Sequence, residues 1–154
     1  NEAKIFAGGH SIGGAASFIA CGQDVRISKG VNLDGYIIEP SLTADLTNYE
    51  NKALLLIQSD REKYPKNMKA AVEQLRKGNE VRIDQLSTKA NLQRVSFELA
   101  GHLDFSDLPF LITMPAWGRS LDLVGDRDGR KLLKETAAIA IDFFCEEPAT
   151  PRNG

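Results

Sequence analysis

The sequence has 154 residues, 42% of them hydrophobic and 26% charged, which is typical of one soluble globular domain with a sizeable core. Its formal net charge of -2 argues against a nucleic-acid partner, because such proteins usually present a basic face. No apolar run approaches the roughly 20 residues that a transmembrane helix needs. The sequence shows no signal-peptide pattern and does not begin with Met, so it gives no basis for predicting a cellular location.

Predicted strands and helices alternate in the first half of the chain. Short apolar runs predict strands at residues 4–7, 30–33 and 53–58. Small residues from Ser11 to about Ala20 predict a helix directly after the first strand. Short buried strands that alternate with helices are typical of an α/β fold with a mostly parallel sheet flanked by helices.

The next region is predicted to hold an amphipathic helix followed by one or two strands. Pro65 suits the first turn of a helix. Apolar residues then repeat at helical spacing, and they are Met68, Val72 and Leu75. The helix is predicted over residues 65–77, because the glycine and asparagine at positions 78 and 79 are typical of a helix end. Strands are then predicted at 81–85, at 95–99 or at both.

The C-terminal region is predicted to contain a long loop, a last helix and a tail. Residues 104–129 carry two prolines and several glycines, so we expect a loop with at most one short helix. Asp128 is a good N-cap for the last helix. The apolar residues expected on one face of that helix are Leu133, Ala137, Ala140, Ile141 and Phe144. The tail 148–154 is predicted to be disordered, which leaves residues 1–147 as part of a single domain.

The two cysteines, Cys21 and Cys145, are too few for a disulfide framework. Free cysteine is among the most buried residue types. We therefore expect two buried thiols.

The most informative motif is Gly-His-Ser-Ile-Gly at residues 9–13, which fits the G-x-S-x-G nucleophile elbow. It follows an apolar strand and opens a small-residue helix, as the motif requires. The residues two before and two after the serine should be very small, because the sharp turn brings backbone segments close together. Ser11 is therefore the candidate nucleophile, and the Ile12 N–H at the positive end of the helix is the candidate oxyanion donor. The alternative is a glycine-rich turn with Ser11 as a helix N-cap.

A serine nucleophile needs a base, and the chain has only two histidines. His10 lies inside the elbow, and we expect its side chain to point away from the cleft and to pack or hydrogen-bond beside the site. His102 follows a predicted strand and a glycine, at the edge of the sheet where α/β proteins carry their chemistry. By elimination, His102 is the candidate base.

The acid that orients the base has two candidates. Asp34 follows the strand at 30–33, and Asp60 follows the strand at 53–58. Most α/β-hydrolases place the acid after the later strand, which favours Asp60. Spacing alone leaves both aspartates open.

Four segments of the chain together resemble one family, and they read, in order, "GHSIGGA", "LDGYIIEP", "LLLIQSDREKYP" and "AGHLDFSD". They are similar to the platelet-activating-factor acetylhydrolases of the plasma and intracellular type II kind, and to related bacterial α/β-hydrolases. The resemblance spans about residues 4–107 and implies the α/β-hydrolase fold. It further implies that Ser11 is the nucleophile, Asp34 the acid and His102 the base, with Asp60 an acidic residue outside the triad.

The resemblance implies a serine hydrolase that cleaves carboxylic esters through an acyl-enzyme. Its expected substrates are short-chain acyl esters or phospholipid esters like platelet-activating factor, and it implies no cofactor and no metal. One alternative is a non-catalytic remnant that binds a partner or a lipid. Another is a lipase- or cutinase-like polyester hydrolase that uses Asp60 as its acid. Three aromatic residues could line an acyl pocket or pack in the core, and they are Phe105, Phe110 and Trp117.

The elbow strand is the first predicted strand of the chain, whereas an α/β-hydrolase has several strands before it. A loop after one of those early strands supplies the second oxyanion N–H. We therefore expect the C-terminal part of an α/β-hydrolase domain that lacks the early strands. The elbow strand would then lie at an edge of the sheet, and an N-terminal segment or a separate chain would complete the fold.

Overall fold

The computed structural model describes residues 5–37, 45–59, 69–111 and 124–146. These residues form a four-stranded sheet in which neighbouring strands pair in chain order and are all parallel. The strands are β1 (Ile5–His10), β2 (Ile27–Leu33), β3 (Ala53–Ser59) and β4 (Asn91–Phe97). The predicted α/β arrangement with a parallel sheet is confirmed.

Helices connect and cover the strands. They are α1 (Ile12–Gln23), α2 (Lys69–Ser87), the single-turn α3 (Leu108–Leu111) and α4 (Gly129–Cys145). Two 3₁₀ turns lie at Leu46–Tyr49 and His102–Phe105. Within the described ranges, no helix has the length and apolar character that crossing a membrane would require.

The core lies on both faces of β3, whose successive side chains point to opposite sides of the sheet. Leu54 and Leu56 pack in a cluster with side chains from α1 and α2. Leu55 and Ile57 pack in a second cluster with side chains from α4. Helices α1 and α2 therefore cover one face of the sheet and α4 covers the other, which explains why β3 is the most apolar strand.

Strand β1 lies at an edge of the sheet. Among the described residues it pairs with β2 alone, as the sequence led us to expect. Its first residue, Ile5, is 38% exposed, whereas the four leucine and isoleucine side chains of β3 are 0% exposed. The strand that carries the elbow is thus less well covered than the interior strand β3.

Helix α2 corrects two predictions at once. It continues through Gly78 and Asn79 as far as Ser87, so the predicted helix end and the predicted strand at 81–85 are wrong. The reason is that the buried stripe of the helix does not stop at the glycine, because Asn79, Ile83 and Leu86 are all at most 1% exposed. Asn79 serves inside this stripe by accepting a hydrogen bond from the Ile37 N–H at 2.8 Å.

The predicted apolar face of α2 agrees only in part with the observed burial. Val72 is buried, but Leu75 is 40% exposed and does not share that face. Pro65 and Met68 lie outside the described residues. The strand predicted at 95–99 corresponds to the end of β4.

Helix α4 begins as predicted, because the Asp128 side chain accepts hydrogen bonds from the N–H groups of the first helical turn. Its buried face agrees with the predicted one only in part, because Ala140 and Phe144 pack against the core cluster as predicted but the most buried positions differ. The buried side chains are Leu132, Thr136 and Phe143, while Ile141 is exposed. The sequence pattern did not indicate this buried face, because Thr136 is polar and a search for apolar periodicity passes over it.

One of the two cysteines is buried and the other is exposed. Cys21 lies on the buried face of α1, and burial raises the pKa of its thiol to about 11. Cys145 is free and exposed at the end of α4, so the expectation of two buried thiols is wrong for this residue. The tail 148–154 and most of the predicted loop at 104–129 fall outside the described residues.

Candidate active site

The elbow places Ser11 at the carboxyl edge of the sheet. Ser11 has a φ of 57° and a ψ of -125°, a strained backbone conformation for a residue with a side chain. Its N–H donates to the Leu33 carbonyl at 2.8 Å, which extends the pairing of β1 with β2 by one residue. Helix α1 then starts at Ile12. The serine side chain is thus fixed by the last bond of the sheet and the first turn of the helix.

Steric contacts explain two of the glycines around Ser11, and one of them is not where the motif predicts it. A Cβ on Gly9 would lie 2.5 Å from the Gly13 carbonyl carbon, so position 9 must be glycine. A Cβ on Gly14 would lie 2.2 Å from Asn32 Oδ1. A Cβ on Gly13 would meet no described atom within 4 Å. The second position without room for a side chain is therefore Gly14, and the prediction for Gly13 is wrong.

Asp34 occupies the equivalent position on the neighbouring strand. Its N–H donates to the Ile57 carbonyl at 2.7 Å, so it follows β2 as Ser11 follows β1. Its φ is 54°, again in the left-handed region. The fully buried Asn32 side chain closes the turn by bonding both the N–H and the carbonyl of Gly35. This turn directs the carboxylate across the sheet edge.

Ser59, at the end of β3, holds the Asp34 carboxylate. Its N–H donates to Oδ1 at 2.8 Å and its hydroxyl donates to Oδ2 at 2.9 Å. The Asp34 side chain is only 10% exposed. Sequence reasoning missed Ser59, although a polar residue that ends the most apolar strand at the sheet edge is the signal that could have indicated it.

His102 brings the three candidate side chains together. Its Nδ1–H donates to Asp34 Oδ2 at 2.8 Å, and its Nε2 accepts from the Ser11 hydroxyl at 2.9 Å. We assign this tautomer because an ionised carboxylate can only accept. The three residues come from the ends of β1 and β2 and from the loop after β4, so the parallel order of the strands is what gathers them.

Asp104 fixes the loop that carries His102. Its carboxylate is 1% exposed, and Oδ2 accepts from the Gly101 N–H at 2.7 Å and from the Gly125 N–H at 2.8 Å. It thereby ties the histidine loop to the segment before α4. Sequence reasoning missed this residue too, because an aspartate two positions after a histidine reads as an ordinary loop residue.

His10 packs beside the site, as expected. Its Nε2–H donates to the His102 carbonyl at 2.8 Å, and the two imidazole rings lie 4.7 Å apart. Burial is the main cause that lowers the pKa of His10.

The Ile12 N–H is the first backbone N–H of α1 and lies next to Ser11 in the chain. The first bonds to the Ser11 carbonyl come from the N–H groups of Gly14 and Ala15. In an α-helix the N–H groups before these have no acceptor within the helix, so the Ile12 N–H is available to an outside group. Its side chain is 85% exposed.

The remaining predicted site residues have different locations. Phe105 is buried in the core cluster with Phe97, so it packs rather than lining an open pocket. Phe110 is 42% exposed, with the Arg130 guanidinium over its ring at 5.4 Å. Asp60 and Trp117 lie outside the described residues. In the described part of the chain, no group of three or more His, Cys, Asp and Glu residues could hold a metal ion.

The sequence model of one family, described as platelet-activating factor acetylhydrolase, isoform II, matches residues 1–149. The chain belongs to this family. The resemblance predicted from the four segments is therefore confirmed at the level of the family. No curated protein matches the sequence.

Two solved structures are similar to this member of the acetylhydrolase family. The ferulic acid esterase from Streptomyces cinnamoneus has a TM-score of 0.61 and 21% identity over 96% of this chain. The dienelactone hydrolase-like promiscuous phosphotriesterase P91, from metagenomic libraries, has a TM-score of 0.55 and 16% identity over 94% of it. The match spans 43% of the first of these chains and 53% of the second. At such identities the similarity establishes the fold, which is that of an α/β-hydrolase.

Proposed function

We propose that the chain carries the catalytic triad of a serine hydrolase that cleaves carboxylic esters, with Ser11 as nucleophile, His102 as base and Asp34 as acid. The observation that carries the proposal is the continuous chain of hydrogen bonds from the Ser11 hydroxyl through His102 to Asp34, at 2.9 Å and 2.8 Å. Membership of the acetylhydrolase family supports the same reaction class.

The proposed reaction has two acyl-transfer steps. Ser11 Oγ attacks the ester carbonyl carbon while His102 Nε2 takes its proton, and Asp34 stabilises the resulting imidazolium. The tetrahedral intermediate collapses when His102 returns the proton to the leaving alcohol, which leaves an acyl group on Ser11. Water, deprotonated by His102, then attacks the acyl-enzyme and releases the carboxylic acid. No cofactor or metal takes part in these steps.

The negative oxygen of each tetrahedral intermediate needs donors. The Ile12 N–H is the proposed first donor, since it lies at the N-terminus of α1 next to Ser11. In other α/β-hydrolases the second donor comes from a loop after an early strand. The edge position of β1 and the 43% and 53% coverage of the similar chains support a further segment or chain that completes the sheet and supplies this donor.

The proposed substrates are short-chain acyl esters and phospholipid esters like platelet-activating factor. This class rests on the family, whose description names platelet-activating factor. The exposed Ile12 side chain beside Ser11 gives the acyl group an apolar neighbour.

A panel of p-nitrophenyl esters from acetate to long acyl chains tests the proposal. Ser11→Ala and His102→Ala should each abolish turnover, because either removes part of the nucleophile–base pair. Ser87→Ala is the matched control, since Ser87 is an exposed serine on α2 whose hydroxyl donates to the Asp84 carbonyl of its own helix. Turnover that survives in Ser11→Ala would refute the triad. A wild-type protein that includes the completing segment and is no faster than its Ser11→Ala variant would indicate a binding module.

A further inference from the structure

His10 contacts the candidate base at two points. Its Nε2 lies 2.8 Å from the His102 carbonyl oxygen, and since a carbonyl only accepts, this nitrogen carries a proton. Its ring also lies 4.7 Å from the His102 ring, tilted by 37°. The Phe105 ring packs on the same imidazole at 6.4 Å. One side chain therefore contacts both the backbone and the ring of His102.

We propose that His10 is a positioning residue for His102, and that it serves in its neutral form as an N–H donor that holds the base in line with Ser11. This inference rests on the proposed function. It assigns to the residue before the nucleophile a role in orienting the base, in addition to its place in the elbow.

The backbone of His102 is held on both sides of its Cα. The Asp104 N–H donates at 3.1 Å to the Gly101 carbonyl, which belongs to the peptide group before this Cα. His10 donates at 2.8 Å to the His102 carbonyl, which belongs to the peptide group after it. Fixing both peptide groups limits how the ring can rotate about the line from Ser11 to Asp34. Without the His10 bond the carbonyl side of the residue loses its side-chain partner, and the Nε2 atom is free to move away from the Ser11 hydroxyl.

The charge of His10 matters because of what faces it. The titratable groups that act on His10 are the His102 imidazole, from the loop after β4, and the Asp34 carboxylate, from the end of β2. Burial is the largest influence and lowers the pKa of His10, which favours the neutral ring. A neutral ring tolerates the imidazolium that forms on His102 during the reaction. A protonated His10 would repel that imidazolium at 4.7 Å.

Two variants separate the effect of the hydrogen-bond donor of His10 from the effect of its ring packing. His10→Gln keeps an N–H donor and cannot titrate, whereas His10→Phe keeps a flat ring and cannot donate. We expect His10→Phe to lower kcat on p-nitrophenyl acetate by about tenfold or more, with KM changed less than about twofold, because small misplacements of a catalytic group are costly. His10→Gln should stay within about threefold of the wild-type kcat, since it retains the donor.

The pH profile supplies a readout that a purely structural role would not move. Below the ordinary pKa of histidine, the acid limb of the wild-type kcat/KM profile should be steeper than one proton allows, because protonation of His10 adds to this limb. In His10→Gln the same limb should follow a single proton. Equal slopes in the two proteins would overturn the role of the neutral form, and this comparison holds even where His10→Phe fails to fold.

Other outcomes are equally decisive. A folded His10→Phe with wild-type kcat would overturn the inference, as would His10→Gln and His10→Phe losing activity alike and in step with their melting temperatures. Ser11→Ala distinguishes the two levels of the proposal. If Ser11→Ala keeps wild-type turnover, the proposed function fails, whereas an inactive Ser11→Ala beside a fully active His10→Phe removes only the role of His10.

Discussion

The elbow around Ser11 and the loop around His102 each deliver a side chain to the same edge of the sheet, but they hold it differently. The elbow relies on backbone geometry, with a strained φ at Ser11 and no room for side chains at Gly9 and Gly14. The histidine loop relies on polar side chains, since Asp104 and His10 bond its peptide groups.

The two regions should therefore differ in what they tolerate. Added atoms damage the elbow, because a new Cβ at a crowded glycine meets fixed backbone or the buried Asn32. Lost polar atoms damage the loop, because a buried backbone N–H group that loses its acceptor is costly.

The largest effect is expected from a change at Asp34, which is held both by a strained backbone conformation and by polar contacts to its side chain. It has a positive φ and its carboxylate is bonded by Ser59. Asp34→Asn should lower kcat by about 10⁴, the loss seen when the acid of a serine protease triad is changed in this way, because the amide favours the wrong histidine tautomer. Steady-state ester hydrolysis measures it.

Asp60→Asn is the control for this prediction. The resemblance places Asp60 outside the triad, so its change should cost far less than that of Asp34. If Asp60→Asn is the crippling change and Asp34→Asn is mild, the arrangement with the acid after the later strand holds instead.

The next effect tests the polar support of the loop. Asp104→Ala leaves the N–H groups of Gly101 and Gly125 buried without their acceptor, which costs about 1–3 kcal/mol for each donor. Because the loop carries His102, kcat should fall by about tenfold or more while KM changes little. Urea unfolding and ester kinetics on the same samples measure both effects.

Asp107→Ala is the matched control, since Asp107 is an exposed aspartate three residues further along the same loop. It should leave stability and kcat near the wild-type values. An Asp104→Ala variant that behaves like Asp107→Ala would show that the loop does not depend on the buried carboxylate.

A third prediction addresses crowding at the elbow. Gly14→Ala places a Cβ 2.2 Å from Asn32 Oδ1 and should lower the free energy of unfolding by about 1–3 kcal/mol or more. Gly13→Ala meets no described atom within 4 Å and should stabilise α1 by up to about 1 kcal/mol, since alanine is the better helix former. Thermal unfolding of the two variants compares them directly, and equal destabilisation would contradict the steric account.

Part of the fold and of the candidate site could be predicted from the sequence. The succession β1-α1-β2-β3 followed from short apolar runs and small residues. Strand ends that meet at one sheet edge indicated Ser11 and His102 but left Asp34 and Asp60 both open as the acid, and the family resemblance favoured Asp34. The catalytic roles of these residues remain predictions. Helix α2 could not be followed through Gly78 and Asn79, because tertiary burial of Ile83 and Leu86 overrides the local tendency to end a helix there.

The supporting residues were harder to predict for a different reason. Asp104 accepts from two backbone N–H groups, and no sequence pattern reports where a distant N–H lies. Ser59 was indicated only by its place at the end of the most apolar strand. Thr136 concealed the buried face of α4 because its polarity masks its position. The small-residue requirement at Gly14 arises from Asn32 on another strand, which a local motif does not include.

The smallest expected effect is on the pH dependence of stability. Burial lowers the pKa of His10 from its ordinary value of 6.5, so the unfolded chain binds a proton that the native chain resists. His10 therefore makes stability fall as pH decreases below the unfolded pKa, with no contribution above it. Urea unfolding across this range should show a flatter slope in His10→Gln than in the wild type, and identical slopes would contradict the buried, neutral state of this residue.

Labelling with a fluorophosphonate probe tests the central claim most directly, because the probe reacts only with a serine that a neighbouring base activates. The label is located by mass spectrometry of the digested protein. The account predicts one adduct, on the peptide that contains Ser11, and its loss in His102→Ala with the fold intact. Labelling at another serine, or labelling of Ser11 that His102→Ala leaves unchanged, would contradict the proposed pairing of nucleophile and base.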